Sequence, residues 1–202
     1  SSELTGRLHL GATEEVSAEL VGNAVSRFDR VHPGVIIDII VDRGLRLEEL
    51  LDRGELDLAL VQVSATDLRQ DDTVLWQDDQ VWICAPDWTF DEGTVPLVTF
   101  GKDGFYRPLA EQILSDAGIG YRAAFSGPSS ASLLAAVEAG FGVALMSSRS
   151  VSGRVVTWPR GESLPDLPVV QQVARASPGP RTEIVNALIA DIANELGDFA
   201  EP

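Results

Sequence analysis

Two short turns carry the residues of this sequence that are best suited to hold a small molecule. The first is Gly11-Ala12-Thr13-Glu14, and the second runs from Ser126 through Gly127 and Pro128 to Ser129 and Ser130. Each turn follows an extended apolar segment and precedes a segment of helical periodicity. Hydroxyl groups and unpaired backbone N–H groups therefore collect where a helix begins, and polar or anionic groups bind well there. For either turn alone, simple N-caps are the favoured explanation, whereas the two turns together favour a binding site.

The sequence offers little for catalysis or for metal binding. His9 lies inside a predicted strand and His32 in a helix-ending turn, so neither histidine is placed as a base beside a serine. Cys84 is the only cysteine; its apolar setting predicts a core thiol, and an intramolecular disulfide is excluded. The acidic pairs Asp71-Asp72 and Asp78-Asp79 fit a solvated surface better than a site for a hard cation. We therefore predict no catalytic residue, no metal site and no cofactor.

Alternating strands and helices must position the two turns. The β-branched run at 35–41 is typical of a strand covered on both faces, and the βαβαβ order of the first half predicts parallel strands with right-handed crossovers. Predicted strands lie near residues 8–10, 35–41, 56–61, 95–100, 122–125, 143–146 and 169–174, with two extended pieces over 75–86 and a short one at 155–156. Predicted helices span residues 16–28, 47–51, 107–117, 130–137 and 184–196. Both halves repeat a strand, a capped helix and a strand, which indicates two similar α/β lobes whose turns would share one cleft.

Composition narrows the classes of function. The 202 residues contain 31 Asp and Glu against 15 Lys and Arg, a formal net charge of −16. Such a surface repels phosphate backbones and anionic lipid, so we expect no direct nucleic-acid binding by this chain. No apolar stretch approaches the roughly 18 residues of a membrane span, and no secretory signal is visible at residue 1.

Several motifs in order resemble the effector-binding domain of LysR-type transcriptional regulators. For the first lobe they are LHLGAT at 8–13, RFDRVHPGV at 27–35 and LLDRGELDLALV at 50–61. For the second lobe they are AGI at 117–119, Ser129-Ser130, and LAAVEAGFGVALM at 134–146. Each motif alone is weak, but their joint order and spacing extend over nearly the whole chain.

The resemblance implies an α/β fold of two Rossmann-like lobes joined by two crossover segments, similar to type 2 periplasmic binding proteins. It places lobe I at 1–78 plus 171–202 and lobe II at 79–170. Family members also carry an N-terminal helix-turn-helix domain and a linker helix. Nothing in these residues resembles either, so we expect this chain to be the isolated sensor portion.

The resemblance also implies effector-binding positions at strand ends and helix starts. They are Ala12, Thr13 and Glu14 on the first turn, Arg43 and Gly44 after the second strand, Gln62 and Val63 after the third strand, Lys102 and Phe105 in lobe II, and Ser129 and Ser130 at the second helix start. The family often has Leu-Pro after the GFGVAL stretch, whereas this chain has Met146-Ser147-Ser148. No site residue is therefore assigned from 147 to 154. A Glu14 directed into the cleft would favour a neutral or amine-bearing effector, and a Glu14 directed to solvent would favour a small carboxylate.

The function implied is that of a cytoplasmic, non-enzymatic ligand sensor in a bacterial regulator. It would bind a small-molecule effector between the lobes and control DNA binding by the full-length protein. Promoter DNA would be contacted only through the N-terminal domain, and no membrane is involved. Self-association as a homodimer or tetramer is expected, with the helix face of Leu47, Leu50 and Leu51 as part of the contact. The alternatives are an extracytoplasmic solute-binding receptor of the same fold, and an enzyme similar to prephenate dehydratases, whose Thr-Arg-Phe tripeptide is missing.

Overall fold

The computed structural model describes residues 3–197 of the chain. The chain divides into two units: unit 1 is Ser1–Gln77 with Val169–Pro202, and unit 2 is Asp78–Pro168. The backbone therefore passes from one unit to the other twice. None of the helices in the described part of the chain is long and apolar enough to cross a membrane.

The described residues form ten strands and six α-helices. The strands are β1 (Gly6–Ala12), β2 (Val35–Val41), β3 (Leu58–Ser64), β4 (Thr73–Asp78), β5 (Gln80–Cys84), β6 (Val95–Phe100), β7 (Tyr121–Gly127), β8 (Ala144–Ser147), β9 (Val156–Thr157) and β10 (Val170–Ala176). The helices are α1 (Glu14–Glu19), α2 (Ser26–Val31), α3 (Gly44–Asp52), α4 (Tyr106–Asp116), α5 (Ser130–Glu138) and α6 (Glu183–Gly197). A π-helical segment, Leu20–Val25, joins α1 to α2, so the single helix predicted over 16–28 contains a wider central turn.

Unit 1 is built on a five-stranded sheet in the order β2-β1-β3-β10-β4. Strand β1 pairs in parallel with both β2 and β3, as predicted, and β10 is antiparallel to β3. One face of the sheet packs against α1, the π-helical segment, α2 and α6 through a buried cluster that includes Phe28 and Leu188. The other face packs against α3 through Leu47 and Leu51. The two helical layers hold the carboxyl ends of β1, β2 and β3 at one edge of the sheet.

Two predictions about the surface of unit 1 are wrong. Strand β2 is not covered on both faces: it is the terminal strand of the sheet, and Ile36 and Val41 are 54% and 52% exposed. The helix residues proposed for a contact with another subunit, Leu47, Leu50 and Leu51, are buried against the unit's own sheet. Helix α3 packs over β3 and β1, which uses its apolar face and leaves one face of β2 open.

Unit 2 repeats this strand arrangement. Strands β6 and β7 pair in parallel, and β5 lies antiparallel between β8 and β9. The two sheets meet where the Val98 N–H donates to the Val143 carbonyl at 2.8 Å, just before β8. The spatial order β7-β6-β8-β5 therefore corresponds to β2-β1-β3-β10 of unit 1. The similarity of the two halves, inferred from the sequence, is confirmed.

The acidic residue Asp72 is buried, although the sequence predicted a solvated surface. Two hydrogen bonds from Arg175 reach its carboxylate, from Nε at 2.8 Å and from Nη2 at 2.7 Å. The side chains of Arg175 and Asp72 are 4% and 2% exposed. Glu48 on α3 forms a second ion pair with Arg175. The buried arginine thus ties the loop before β4 and helix α3 to strand β10.

Candidate functional site

The carboxyl ends of the three parallel strands of unit 1 meet at the first turn. The Thr13 N–H donates to the Leu60 carbonyl of β3 at 3.3 Å, and the Asp42 N–H donates to the Ala12 carbonyl at 3.2 Å. Gly11 makes this packing possible, because a Cβ at this position would lie 2.7 Å from side-chain atoms of both Leu47 and Leu56. The turn is therefore fixed by backbone bonds on both sides.

Thr13 has a role other than the N-cap that its position suggests. Its backbone is extended (φ −72°, ψ 158°) at the start of α1, but its side chain makes no capping hydrogen bond. Instead its hydroxyl oxygen accepts from Nε2 of Gln62 at 3.3 Å. The same Nε2 donates to Oε2 of Glu15 at 2.6 Å. Thr13, Glu15 and Gln62 thus form one polar cluster, and Glu14 is exposed.

The remaining positions predicted in unit 1 are only partly brought together with this cluster. Ala12 is buried beneath the turn. Arg43 is the residue before α3; its N–H donates to Oδ1 of Asp42 at 2.8 Å, and its side chain is half exposed. Gly44 begins α3 with open space around it. Gln62 and Val63 lie inside β3 rather than after it. Val63 packs on the α3 face of the sheet, opposite to Gln62.

The second turn, in unit 2, differs from the first in how its hydroxyl is used. Ser129 is an N-cap whose hydroxyl accepts from the Ser132 N–H at 3.2 Å, and the Ser132 hydroxyl accepts in turn from the Ser129 N–H. Gly127 leaves room for this capping box, because a Cβ there would clash with Ser132. Ser130, the first residue of α5, is buried. The N-cap explanation considered for Ser129 is therefore correct, whereas it fails for Thr13.

Lys102 and Phe105 lie on the loop that follows β6. Lys102 is exposed and Phe105 is half buried. The Phe105 ring packs edge-on against Tyr106, with ring centroids 5.3 Å apart. This loop follows the carboxyl end of β6, so it belongs to the edge of unit 2 that also carries the second turn.

The acidic side chains, the two histidines and Cys84 form no metal centre among the described residues. No group of three or more His, Cys, Asp or Glu side chains among them is placed to hold a metal ion. His9 lies 3.6 Å from the Asp38 carboxylate on the sheet surface, and His32 packs against Phe28. Cys84 is a buried core thiol, as predicted, and burial raises its pKa.

A family model described as the LysR substrate binding domain matches residues 1–196. The chain belongs to this family. It is 26% identical over 192 residues to the HTH-type transcriptional regulator PecT of Dickeya dadantii (strain 3937), with 95% of this chain and 60% of that protein covered. It is 29% identical over 170 residues to the HTH-type transcriptional regulator DgdR of Burkholderia cepacia, with 83% and 56% covered. The chain thus spans less than two thirds of each of these relatives.

Solved structures of LysR-type regulatory domains share the fold. The regulatory domain of CcmR from Synechocystis PCC6803, solved with 2-PG, has a TM-score of 0.75 at 14% identity over 98% of both chains. The effector-binding domain of QuiR, solved with shikimate, has a TM-score of 0.71 at 16% identity over 97% of this chain and 99% of the other. The apo regulatory domain of HypT from Salmonella typhimurium has a TM-score of 0.75 at 15% identity over 98% of both chains. The predicted fold class, two Rossmann-like lobes joined by two crossovers and similar to type 2 periplasmic binding proteins, is confirmed.

One polar cluster of this LysR-type domain was missed by the sequence analysis. Asp78 is 4% exposed; Oδ1 accepts from the Ser147 hydroxyl at 2.7 Å, and Oδ2 accepts from the Tyr106 hydroxyl at 2.8 Å. Burial raises the pKa of the Asp78 carboxyl, and these two hydrogen bonds offset only part of that effect. Interpreting Asp78 as solvated surface was therefore wrong. The only signal was the departure at Ser147, where the family often has proline.

Proposed function

We propose that this chain is the effector-sensing domain of a LysR-type transcriptional regulator. A small molecule binds to it and thereby changes the DNA binding of the longer protein. The family match over residues 1–196 carries the proposal, supported by relatives named HTH-type transcriptional regulators. The same names favour a regulator over a solute-binding receptor or an enzyme, the two alternatives that the fold allows.

The proposed effector-binding residues lie at the carboxyl ends of the parallel strands of each unit. Ligands of open α/β sheets bind beyond these ends. In unit 1, Thr13 and Gln62 are at the centre of the proposal, because their buried polar groups already form a network. Ala12, Glu14, Arg43 and Gly44 surround them, whereas Val63 supports the site from the core. In unit 2 the proposed residues are Lys102, Phe105, Ser129 and Ser130.

We place promoter binding in a helix-turn-helix domain outside this chain. The formal charge of −16 supports this placement, because a surface of that sign repels the phosphate backbone. The proposal includes a cytoplasmic location, where the regulator meets both its effector and the chromosome.

Self-association of the domain is a further part of the proposal. The open face of the terminal strand β2 presents Ile36 and Ile40, with the exposed Val41 at the end of the strand. Apolar side chains on a strand that has a neighbour on one side only are typical of a surface covered by another subunit. We propose that a second copy of this chain covers them.

The full-length protein and this chain together test the proposal. Gel-shift titration of the upstream region of the gene should show binding by the full-length protein and none by this chain at 150 mM salt. A thermal-shift screen of metabolites should then identify compounds that stabilise this chain, with about 2.7 kcal/mol expected at a hundredfold excess over Kd. A compound found in this way should alter the gel shift of the full-length protein. Specific DNA retention by this chain alone would contradict the assignment.

Thr13→Val and Gln62→Leu test the site itself. Both variants should lose most of the stabilisation by the compound, because they remove the buried polar groups of unit 1. Thr157→Val, an exposed substitution on β9, is the matched control and should respond like the wild type. Full stabilisation of Thr13→Val would remove the first turn from the site.

A further inference from the structure

Gln172 of strand β10 extends the polar cluster of unit 1 by one strand. In the antiparallel register of β3 and β10, Gln172 lies directly opposite Gln62. Directly opposed residues of an antiparallel pair direct their side chains to the same face of the sheet. Thr13 follows β1 and accepts from Gln62 of β3, so Thr13, Gln62 and Gln172 form a row close to the carboxyl end of β3.

The side chain of Gln172 is buried, and its amide N–H groups lack an acceptor. The residue is 1% exposed, and its Nε2 has no hydrogen-bond acceptor among the described residues. Buried amide N–H groups are nearly always paired, since an unpaired one lowers the stability of the fold. The next residues on the same face of β10, Val170 and Ala174, are apolar and fully buried. A leucine at 172 would suit this strand better, so the amide needs an explanation beyond packing.

The hydrogen bonds of Gln62 determine which of the two glutamines, Gln62 or Gln172, can donate to a bound molecule. Its Nε2 already donates to Thr13 and Glu15, which uses both N–H groups of that amide. Gln172 is then the member of the row with N–H groups to give. A bound molecule that meets it must present an oxygen acceptor.

We propose that Gln172 is a specificity-determining residue of the effector site, donating from Nε2 to a carboxylate, carbonyl or hydroxyl oxygen of the effector. The inference rests on the proposed function and narrows it: the effector carries an oxygen acceptor at this position, and a simple amine is rejected. Nε2 of Gln172 lacks an acceptor in the free domain, and the effector supplies that acceptor. Residues that are poorly satisfied in the free state and paired in the complex concentrate at binding sites.

Two variants separate the role of Gln172 from a structural one. Gln172→Leu replaces the amide by an apolar group of similar size. Gln171→Leu, one residue away on the opposite face and half buried, is the control. In the free domain Gln172→Leu should raise Tm by about 2–4 °C, as expected for a gain near 1 kcal/mol in a domain of this size. Gln171→Leu should not raise it. A lower Tm for Gln172→Leu, with Gln171→Leu unchanged, would show that the amide is already paired and would overturn the proposal.

The second measurement adds probes of known chemistry. Glycolate, lactate, shikimate and glycolamide carry oxygen acceptors, and ethylamine is the probe without one. An acceptor compound that raises the Tm of the wild type should do so equally in Gln171→Leu and by less than half in Gln172→Leu, and ethylamine should have no effect. A wild-type domain that responds to none of the acceptor compounds contradicts both proposals. A response that Gln172→Leu retains in full overturns the role of Gln172 alone.

Discussion

Gln62 donates its side-chain amide to the Glu15 carboxylate at 2.6 Å, across 47 residues of sequence. The bond makes Glu15, rather than Glu14, the acidic residue attached to the polar cluster at the end of β3. The sequence had left open whether Glu14 decides the charge of the effector. Because Glu14 is exposed, Glu15 is the acidic residue expected to affect which effector charge the site prefers.

Glu15→Gln should therefore strengthen the binding of small carboxylates. It removes a negative charge next to Thr13 while its carbonyl oxygen still accepts from Gln62. We expect a gain of about 0.5–1.4 kcal/mol, roughly two- to tenfold in Kd, as for a partly screened like-charge pair. Glu55→Gln, an exposed carboxylate outside the candidate site, should change Kd less than twofold. Isothermal titration at low and high salt measures both, and the gain should shrink at high salt. Equal responses of the two variants would remove Glu15 from the site.

Removal of one partner of the Arg175–Asp72 ion pair should strongly destabilise unit 1. Arg175→Met leaves Asp72 buried without its partner, which typically costs about 3–5 kcal/mol. Arg30→Met, on the exposed surface of α2, is the control and should change the stability by less than about 0.5 kcal/mol. Urea denaturation of the two variants provides the comparison. A loss below 1 kcal/mol for Arg175→Met would show that Asp72 reaches water or another donor.

The same pair should make the domain sensitive to acid. Burial opposes the ionisation of Asp72, but the hydrogen bonds from Arg175 and the Arg69 N–H outweigh it, and the pKa lies below its ordinary value of 3.8. A lowered pKa in the folded state gives stability that is complete above 3.8 and is lost as the pH falls through the folded value. The free energy of unfolding of the wild type, measured relative to Asp72→Asn, should therefore decrease below pH 4. A constant difference from pH 7 to pH 3 would contradict this sign.

Asp78 should show the opposite dependence on pH. Because burial raises its pKa, the fold favours the protonated acid, and stability decreases as the pH rises from 3.8 to the folded pKa. The wild type should gain stability relative to Asp78→Asn between pH 7 and pH 4. Tyr106→Phe removes one donor to the buried carboxylate and should cost about 1–3 kcal/mol at pH 7, with a smaller loss at pH 4. Equal losses at the two pH values would show that Asp78 is not the titrating group.

The sequence predicted local structure well because local patterns determine it. Apolar alternation and β-branched runs placed the strands, and the predicted strand at 95–100 coincides with β6. The predicted helix at 130–137 ends within one residue of α5, and Gly140 adopts the left-handed conformation (φ 81°) typical of a residue that follows a helix. These features depend on residues that are close to each other in the sequence.

What the sequence could not predict depends on partners far apart in the chain. Arg175 meets Asp72 across 103 residues, and Ser147 meets Asp78 across 69. The N-cap explanation for Thr13 was reasonable because a threonine before a helix usually caps it, yet its hydroxyl accepts from Gln62 of β3. Gln172 gave no signal in the sequence, since its place opposite Gln62 depends on the register of β10. Sequence reasoning thus placed the two turns but not the hydrogen bonds that their side chains make within each unit.

The open face of β2 should mediate self-association of the domain. Ile36 and Ile40 are 54% and 39% exposed on a strand with no neighbour on its outer side among the described elements. A second copy that covers these side chains would bury apolar area worth roughly 25 cal/mol per Å². Ile40→Glu places a charge in that contact and should raise the dissociation constant of the dimer at least tenfold, or about 1.4 kcal/mol. Val156→Glu, an exposed apolar residue of unit 2, is the matched control and should leave the association unchanged. Sedimentation velocity from 1 to 200 μM should show the shift, and wild-type protein that stays monomeric at the highest concentration would refute the dimer.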